Sequence, residues 1–455
     1  MATAIYRDSV PSGATKITFS AWVKRCGLAS GSHQQLFSAY TSNDRRAKVY
    51  ITSDSLRVWE KDSSGNEGYV TTTRLFRDIN SWYHIVVAQD NTLATAADRI
   101  KIYINGVRET AVTWVDSYPT QDSTTWILGH GKVMHGNGYY NGSYESQSLN
   151  GLMSAINVCY GNAYDASYFG SVDSTTGQWK INTSPSVTYG TQGYSILNNG
   201  NTITDQSDNS NNFSLGQGTL TDTKDCPSNV FATMNSLANT VAPVGLTQGN
   251  NTVAMTNSKG GILSTIACTG GKYYAEMKIA TAPQDFRFHW GILPKPISAA
   301  DDPINGTNAG IMLSGFNAAL YAGGGVINNF YGNATGRFSG NPILGLAIDL
   351  ESATKTIAIS VNGAWITGSN TTDASFSNAL KVDITSYVAA YDDWFIGCGS
   401  GNSSGTTGVY NINFGNGTFG TSTVSSAGTA GSTPGTFEYD VPSGYEPLST
   451  KGLNA

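Results

Sequence analysis

Charged residues are scarce in this chain of 455 residues, at 13% of the total, and no sustained helical periodicity accompanies them. Helix-rich proteins carry far more Lys, Glu, Leu and Ala. Gly is abundant instead, with 52 residues, and Tyr reaches 24. These residue types favour strands, turns and loops. The composition therefore excludes coiled coils and helical bundles and predicts an all-β fold.

The sequence also lacks a basic balance, paired cysteines and long apolar runs. A net charge of −6 and an isoelectric point near 5.4 argue against nucleic acid as a partner. The five cysteines are scattered, without CxxC spacing, so we expect free thiols in a protein that folds in a reducing cytoplasm. No secretory signal or membrane-spanning run is visible, and no membrane insertion is expected.

Short stretches alternate apolar and polar residues, as half-buried antiparallel strands do. In residues 17–25 the alternation places Ile17, Phe19, Ala21 and Val23 on one face. The same pattern predicts further strands at residues 48–52, 56–60 and 82–90.

A strand followed by a hairpin occurs twice, in residues 82–108 and 343–365. Each copy runs into an Asn-Gly pair, which favours a type I′ turn because both central residues need positive φ. The repeat predicts two tandem antiparallel β-sandwiches of related architecture, in domains 1–225 and 226–455. Within the second domain, the uncharged residues 415–436 are either a long surface loop or an adhesive flexible segment.

Several motifs in these two halves resemble known families. The first half resembles a laminin-G-like, concanavalin-type lectin domain (a jelly roll) at residues 19–25, 82–87, 102–106 and 149–156. The second half resembles a SPRY-like β-sandwich at residues 270–278, 290–293, 344–350, 361–363, 413–415 and 442–448.

The order of the two halves is similar to that in predicted virion proteins of marine tailed bacteriophages. This resemblance implies a non-enzymatic virion surface protein, a tail fibre or adhesin subunit that attaches to the host. Its expected partners are other virion proteins, further copies of the chain in a homo-oligomer, and a host-surface glycan or other receptor. Its expected location is the virion surface, after assembly in the host cytoplasm. The alternatives are a capsid decoration or head-fibre structural protein and, less favoured, a glycan depolymerase.

Catalytic residues are not expected. The nearest approach to the paired acids of a glycosidase is Asp349 with Glu351, which lie roughly 7 Å apart along a strand. The third acid of the glycan-hydrolase motif is missing. Glu438 with Asp440 is a similar pair with the same objection.

Aromatic residues in Gly- and Asn-rich loops are the better candidates for a site, because aromatic ring faces stack on sugars while amides and carboxylates bond hydroxyl groups. The predicted ligand-binding residues are Trp114, Tyr118, Trp126, Tyr139, Tyr140, Tyr144, Tyr387, Tyr391 and Trp394. No cofactor is expected from the motifs. The resemblance to lectin domains leaves calcium open, with Asp392 and Asp393 as its predicted ligands and Asp301-Asp302 as a second acidic doublet.

Overall fold

The chain forms two compact units in the computed structural model. The first unit is Met1–Asp222 with Cys226–Ser228, and the second is Thr223–Asp225 with Asn229–Ala455. The structure describes residues 3–8, 13–28, 33–43, 45–61, 66–125, 131–238, 244–255, 260–294, 310–330, 338–368, 370–401 and 407–454.

The regular secondary structure described in the first unit consists almost entirely of strands. They are β1 (Ala4–Asp8), β2 (Lys16–Arg25), β3 (Gln34–Ser42), β4 (Arg45–Thr52), β5 (Ser55–Lys61), β6 (Glu67–Thr72), β7 (Trp82–Asp90), β8 (Ile100–Ile104), β9 (Val107–Glu109), β10 (Val112–Asp116), β11 (Lys132–His135), β12 (Asn137–Tyr140), β13 (Ser143–Ser148), β14 (Gly151–Tyr160), β15 (Gly170–Val172), β16 (Trp179–Ile181), β17 (Tyr194–Ile196) and β18 (Ser214–Gln217). Single 3₁₀ turns lie at Ala96–Asp98 and Ala166–Tyr168.

Two antiparallel sheets form the sandwich of the first unit. Sheet 1 has eight strands in the order β10-β6-β5-β4-β3-β11-β1-β18, and sheet 2 has six in the order β17-β14-β2-β7-β8-β9. The hairpins β12–β13 and β15–β16 stand outside both sheets.

The core between sheets 1 and 2 confirms the predicted alternation. Ile17, Phe19, Ala21 and Val23 of β2 are fully buried in one apolar cluster with residues of sheet 1 such as Val49. Burial of each large side chain of this kind contributes roughly 1.5–3 kcal/mol.

The outer faces of the two sheets differ. On sheet 2 the outward residues Val86 and Cys159 are covered by a second layer that contains Phe169 and Trp179. On sheet 1 the outward residues are polar and aromatic, and the hairpin β12–β13 lies against them.

The second unit is also composed of strands. They are β19 (Val244–Thr247), β20 (Thr252–Met255), β21 (Gly260–Cys268), β22 (Lys272–Thr281), β23 (Phe288–Leu293), β24 (Ile311–Ser314), β25 (Ala319–Ala322), β26 (Gly325–Asn329), β27 (Ile343–Asp349), β28 (Thr356–Val361), β29 (Ala364–Gly368), β30 (Thr371–Asp373), β31 (Val382–Asp383), β32 (Trp394–Ser400), β33 (Gly408–Asn413), β34 (Thr418–Phe419), β35 (Ser422–Thr423) and β36 (Glu446–Pro447). One α-helix, α1 (Thr385–Val388), and 3₁₀ turns at Gln284–Phe286, Phe376–Asn378 and Gly452–Asn454 complete it.

The second unit is a sandwich of two sheets as well. Sheet 3 follows the order β19-β20-β33-β22-β27-β28-β29-β30, with β31 beside β28 and β36 parallel to β22, and sheet 4 follows β21-β32-β23-β24-β25-β26. Its core contains Trp290 and Ile396 from sheet 4 and Met277 and Leu346 from sheet 3. The prediction of an all-β chain with two antiparallel sandwiches is therefore confirmed.

The two predicted Asn-Gly hairpins are present and share their geometry. Asn105 and Asn362 have φ of 48° and 49°, and the glycines after them have φ of 82° and 80°. Each Asn side chain accepts a hydrogen bond from the strand before it, from His84 N at 2.8 Å and from Ile343 N at 2.9 Å. The type I′ turns are therefore anchored in the same way in both units.

The uncharged stretch 415–436 begins with buried residues 415–420 and the short hairpin β34–β35, and the residues after it are exposed or half-buried. Glu446 accepts hydrogen bonds from the backbone of Ser432 and Thr433, both at 2.9 Å, and Asp440 accepts one from Thr429 at 2.6 Å. None of the helices that the structure describes has the length and apolar character needed to cross a membrane.

Candidate functional site

The hairpin β12–β13 positions three of the predicted aromatic residues. Its turn, Asn141-Gly142, has positive φ at both residues, and Tyr139 pairs with Tyr144 across the strands. These two rings meet edge to face with centres 5.6 Å apart, and the Tyr139 hydroxyl donates a hydrogen bond to Gly142 O at 2.8 Å. Tyr140 is 41% exposed.

The hairpin rests on the outer face of sheet 1 through aromatic and cationic contacts. The Tyr139 ring lies 5.4 Å from that of Tyr40 on β3. Lys132 on β11 places its ammonium 3.9 Å from the ring centre of Tyr6 and 5.3 Å from that of Tyr139. Aromatic rings from the hairpin and from two strands of the sheet, with a cation from a third, are thus brought onto one surface.

Strand alternation extends this surface over the neighbouring strands. On β4 the residues Ala47, Val49 and Ile51 enter the core, so the residues between them point outward, and the same holds for the residues that flank Val58 and Val70. We call the resulting surface the aromatic-cationic face, which consists of Tyr6, Tyr40, Arg46, Lys48, Tyr50, Arg57, Trp59, Tyr69, Lys132, Tyr139, Tyr140 and Tyr144.

Two arginines on this face lie against ring faces. The Arg46 guanidinium lies over two rings, 5.1 Å from the centre of Trp59 and 4.5 Å from that of Tyr140. The Arg57 guanidinium lies 4.0 Å from the ring centre of Tyr69. Such contacts are favourable because the ring face is electron-rich.

The strand residues of the aromatic-cationic face were not predicted, because aromatic residues were expected to bind a ligand only where they lie in Gly- and Asn-rich loops. The signal was nevertheless present, since Arg46, Lys48 and Tyr50 occupy alternate positions on one strand, and Arg57 and Trp59 do so on the next. A polar or aromatic residue at every second position marks the solvent face of a strand.

Trp114 and Tyr118 are also brought together, at a different place in the first unit. Their ring centres are 4.5 Å apart. Both line a cleft of about 190 Å³ together with Glu60, Tyr69 and Ile100. Trp126, the third predicted aromatic of this region, lies outside the described residues.

The three aromatics predicted in the second unit lie against its core. Trp394 is only 3% exposed and donates a hydrogen bond to Val388 O at 3.2 Å. Tyr387 and Tyr391 are half-buried and pack on the core, with Tyr391 edge-on to Trp394 at 5.8 Å. Trp394 therefore offers no ring face to a ligand, because its apolar surface supports the end of the sandwich.

The acidic doublet Asp392-Asp393 is exposed. Among the residues that the structure describes, no three His, Cys, Asp or Glu side chains converge as a metal site would require. The doublet Asp301-Asp302 lies outside the described residues.

The carboxylate pairs considered for glycan hydrolysis hold turns. Asp349 accepts hydrogen bonds from the backbone of Glu351 at 3.0 Å and Ser352 at 2.9 Å, and Lys272 lies 3.4 Å away. Burial opposes ionisation of Asp349, but these interactions outweigh it and lower the pKa. Glu438 likewise binds the backbone of Ser425 at 2.8 Å. These acids have structural partners in place of a substrate.

A buried Ser–His pair also exists in the first unit. Ser20 Oγ lies 2.9 Å from His84 Nε2, and Trp179 donates its indole N–H to His84 Nδ1 at 3.0 Å. The proton of neutral His84 therefore resides on Nε2, which donates to Ser20 and cannot accept its proton. Burial lowers the pKa of His84 to about 3. The pair thus stabilises the layer over sheet 2.

Comparison with known proteins identifies the fold of the first unit. Residues 3–154 match the Laminin_G_3 family model, described as the concanavalin A-like lectin/glucanases superfamily. No curated protein matches the chain. The first unit therefore has a concanavalin-like lectin fold, as predicted.

Several solved structures are similar to parts or most of the chain. Domains LG4-5 of the mouse laminin α1 chain are 10% identical, with a TM-score of 0.30, and the match covers 90% of this chain and 85% of that one. The SPRY domain of human HERC1 is 13% identical, with a TM-score of 0.26, over 36% of this chain and 87% of that one. The CBM40 of Ruminococcus gnavus IT-sialidase, bound to α2,3-sialyllactose, is 14% identical, with a TM-score of 0.27, over 37% and 91%.

Proposed function

We propose that the chain is a non-enzymatic binding protein that attaches to surface glycans through its aromatic-cationic face. The observation that carries this proposal is the assembly of Tyr139, Tyr140 and Tyr144 with the cationic and aromatic residues of sheet 1. Sugars need apolar ring faces for stacking and nearby donors and acceptors for their hydroxyl groups, and this surface supplies both. The lectin fold of the first unit supports the same role.

Within this proposal, the chain acts on the surface of a bacteriophage virion as a tail fibre or adhesin subunit. It would associate there with other virion proteins and with further copies of itself. This part rests on the resemblance of the tandem sandwiches to virion proteins. Antibody-gold labelling of purified particles tests it, because label on the tail would support the assignment and unlabelled particles would refute it. Label on the head would instead favour a capsid decoration protein.

The absence of catalysis is the second part of the proposal. Asp349 and Glu438 serve backbone turns, and Ser20 and His84 are buried. We expect incubation of the full chain with any polysaccharide that it binds to release no reducing ends. Release that is lost in Asp349→Asn with Glu351→Gln would restore the depolymerase alternative.

Mutation of the hairpin tests the binding role directly. Tyr139→Ala with Tyr140→Ala removes two ring faces and is expected to lower affinity for a bound polysaccharide at least tenfold. Tyr168→Ala is the matched control because Tyr168 is 42% exposed, close to the 41% of Tyr140, but lies in the layer over sheet 2. Equal affinity of the folded double variant and the control would refute the binding site.

A further inference from the structure

We infer that the aromatic-cationic face selects anionic polysaccharides, those that carry carboxylate or sulfate groups, and that Arg46 and Arg57 are the residues that bind these groups. The inference rests on the proposed function and adds the charge class of the ligand.

The cations on this face fall into two groups, those with a carboxylate partner and those without one among the described residues. Lys48 is paired with Glu145, and Lys132 is paired with Asp8 at 2.7 Å. Arg46 and Arg57 have no carboxylate partner within the described part of the chain, and their contacts are with rings and hydroxyl groups. Two positive charges therefore stay uncompensated on a protein whose net charge is −6.

Two described carboxylates that contact other residues of this face are already engaged. Glu145 accepts a hydrogen bond from Gln35 at 3.0 Å in addition to its pairing with Lys48. Glu67 accepts one from the Trp59 indole at 2.9 Å. An oxyanion from outside the chain is thus the group that would complete the charge pairing of the face.

Stacking prepares the arginines for such an anion. A guanidinium carries its N–H donors in its plane, so a ring over its face does not use them. The Arg46 guanidinium lies 5.1 Å from the Trp59 ring and 4.5 Å from the Tyr140 ring, and its Nε is buried without a hydrogen-bond partner in the described structure, so its Nη groups are the donors left for an anion. Arg57 donates Nε to Thr71 and Nη1 to Tyr50, which leaves its Nη2 group. The rings fix the orientation of the guanidinium, so less side-chain entropy is lost when it binds a ligand.

The spacing of the two arginines favours a chain of sugars over a single ring. Arg57 lies opposite Tyr50, whereas Arg46 lies four residues farther along β4. Four residues of a strand span roughly 13 Å, so one monosaccharide cannot bridge both guanidinium groups. Trp59 lies between them on β5, under Arg46. A polysaccharide with recurring anionic groups matches this arrangement.

Matched probes test the charge class with the full-length chain. Hyaluronan and its carboxyl-reduced form differ in carboxylates, and dextran sulfate and dextran differ in sulfates. We expect at least one charged probe to bind tenfold or more tightly than its neutral form, and added salt to weaken that binding because it screens exposed charges. The pair that shows the difference identifies the anionic group.

The arginine variants then test the residues. Arg46→Gln with Arg57→Gln is expected to reduce the affinity for the charged probe at least tenfold and to leave weak binding of its neutral form unchanged. Arg108→Gln is the matched control, because it removes one exposed cation on β9 of sheet 2. Retention of selectivity in the folded double variant would overturn the assignment of these residues.

Three further outcomes separate this inference from the proposed function. Equal binding of charged and neutral probes would overturn the anionic selectivity and leave glycan binding standing. Failure of all four polysaccharides to bind would overturn both. Equally tight binding of single-stranded DNA would show a general polyanion surface and overturn the assignment to polysaccharides.

Discussion

The guanidinium of Arg46 lies 4.5 Å from the ring centre of Tyr140, a contact that joins the hairpin β12–β13 to strand β4 of sheet 1. The same guanidinium lies 5.1 Å from the ring centre of Trp59 on β5. Arg46 thus links Tyr140, which was predicted from its loop, to Trp59, a strand residue that was not predicted. The ligand surface is a property of the sheet and the hairpin together.

The substitution of glycine by alanine is expected to destabilise the fold by different amounts at two turn positions. Gly106 and Gly142 have φ of 82° and 79°, so an alanine at either position is strained by roughly 1–2 kcal/mol. A Cβ at Gly106 would also lie 2.4 Å from the Trp179 ring, whereas one at Gly142 would meet nothing within 4 Å. We expect Gly106→Ala to lower the thermal unfolding temperature of the full chain more than Gly142→Ala. Equal shifts would contradict the packing of Trp179 on this turn.

Glu276 predicts a pH dependence of stability. Burial raises its pKa to about 7, even though its carboxylate accepts hydrogen bonds from Glu438 N and Tyr439 N at 2.9 Å and from Asn413 Nδ2 at 3.2 Å. Between pH 4.5 and 7 the folded state therefore holds a proton that the unfolded state releases, so this group destabilises the fold as the pH rises.

The test compares wild type with Glu276→Gln, which does not titrate. Denaturant midpoints at pH 5 and pH 8 should show wild type losing more stability than the variant as the pH rises, by up to about 3 kcal/mol. Glu276→Gln is expected to be less stable than wild type at both pH values. The NH₂ group of its side-chain amide would face the N–H donors that now bind the carboxylate. Parallel pH profiles of the two proteins would contradict the raised pKa.

The cysteines predict one reactive thiol. Cys226 is half-buried, whereas Cys26, Cys159, Cys268 and Cys398 are buried, and none of the five is in a disulfide. Burial raises the pKa of Cys159 to about 12, which suppresses its thiolate. A thiol reagent should modify one cysteine rapidly in the native chain and five after denaturation. Rapid reaction in Cys226→Ser would show that another thiol is accessible.

Local patterns predicted the fold because they act at short range. Alternation placed Ile17 and Phe19 in the core, and the Asn-Gly pairs at Asn105 and Asn362 made the expected turns. The burial of Trp394 was not predicted, because it depends on contacts with α1 and the end of sheet 4. Burial raises the pKa of Glu276, and its partner Glu438 lies 162 positions away along the chain, so no local pattern reveals this environment.

The candidate site was predictable only in part. Tyr139 and Tyr140 were predicted as ligand-binding residues because they lie in a Gly- and Asn-rich stretch, where aromatic residues are exposed. Their contacts with Arg46 and Tyr40 depend on how the hairpin packs on the sheet, which requires the three-dimensional structure. The alternating outward residues on β4 and β5 would have indicated the aromatic-cationic face of sheet 1. They would not have indicated that the Arg46 guanidinium stacks on aromatic rings there.

Hydroxyl-radical footprinting of the full chain, with and without a bound polysaccharide, tests the central claim most directly. Tyr140 and Tyr168 are 41% and 42% exposed, and Tyr118 in the cleft is 41% exposed, so the three should be oxidised comparably in the free chain. We expect the ligand to protect Tyr140 from oxidation and to leave the oxidation of Tyr168 and Tyr118 unchanged. Protection of Tyr118 or of the second unit, with Tyr140 still oxidised, would contradict the central claim.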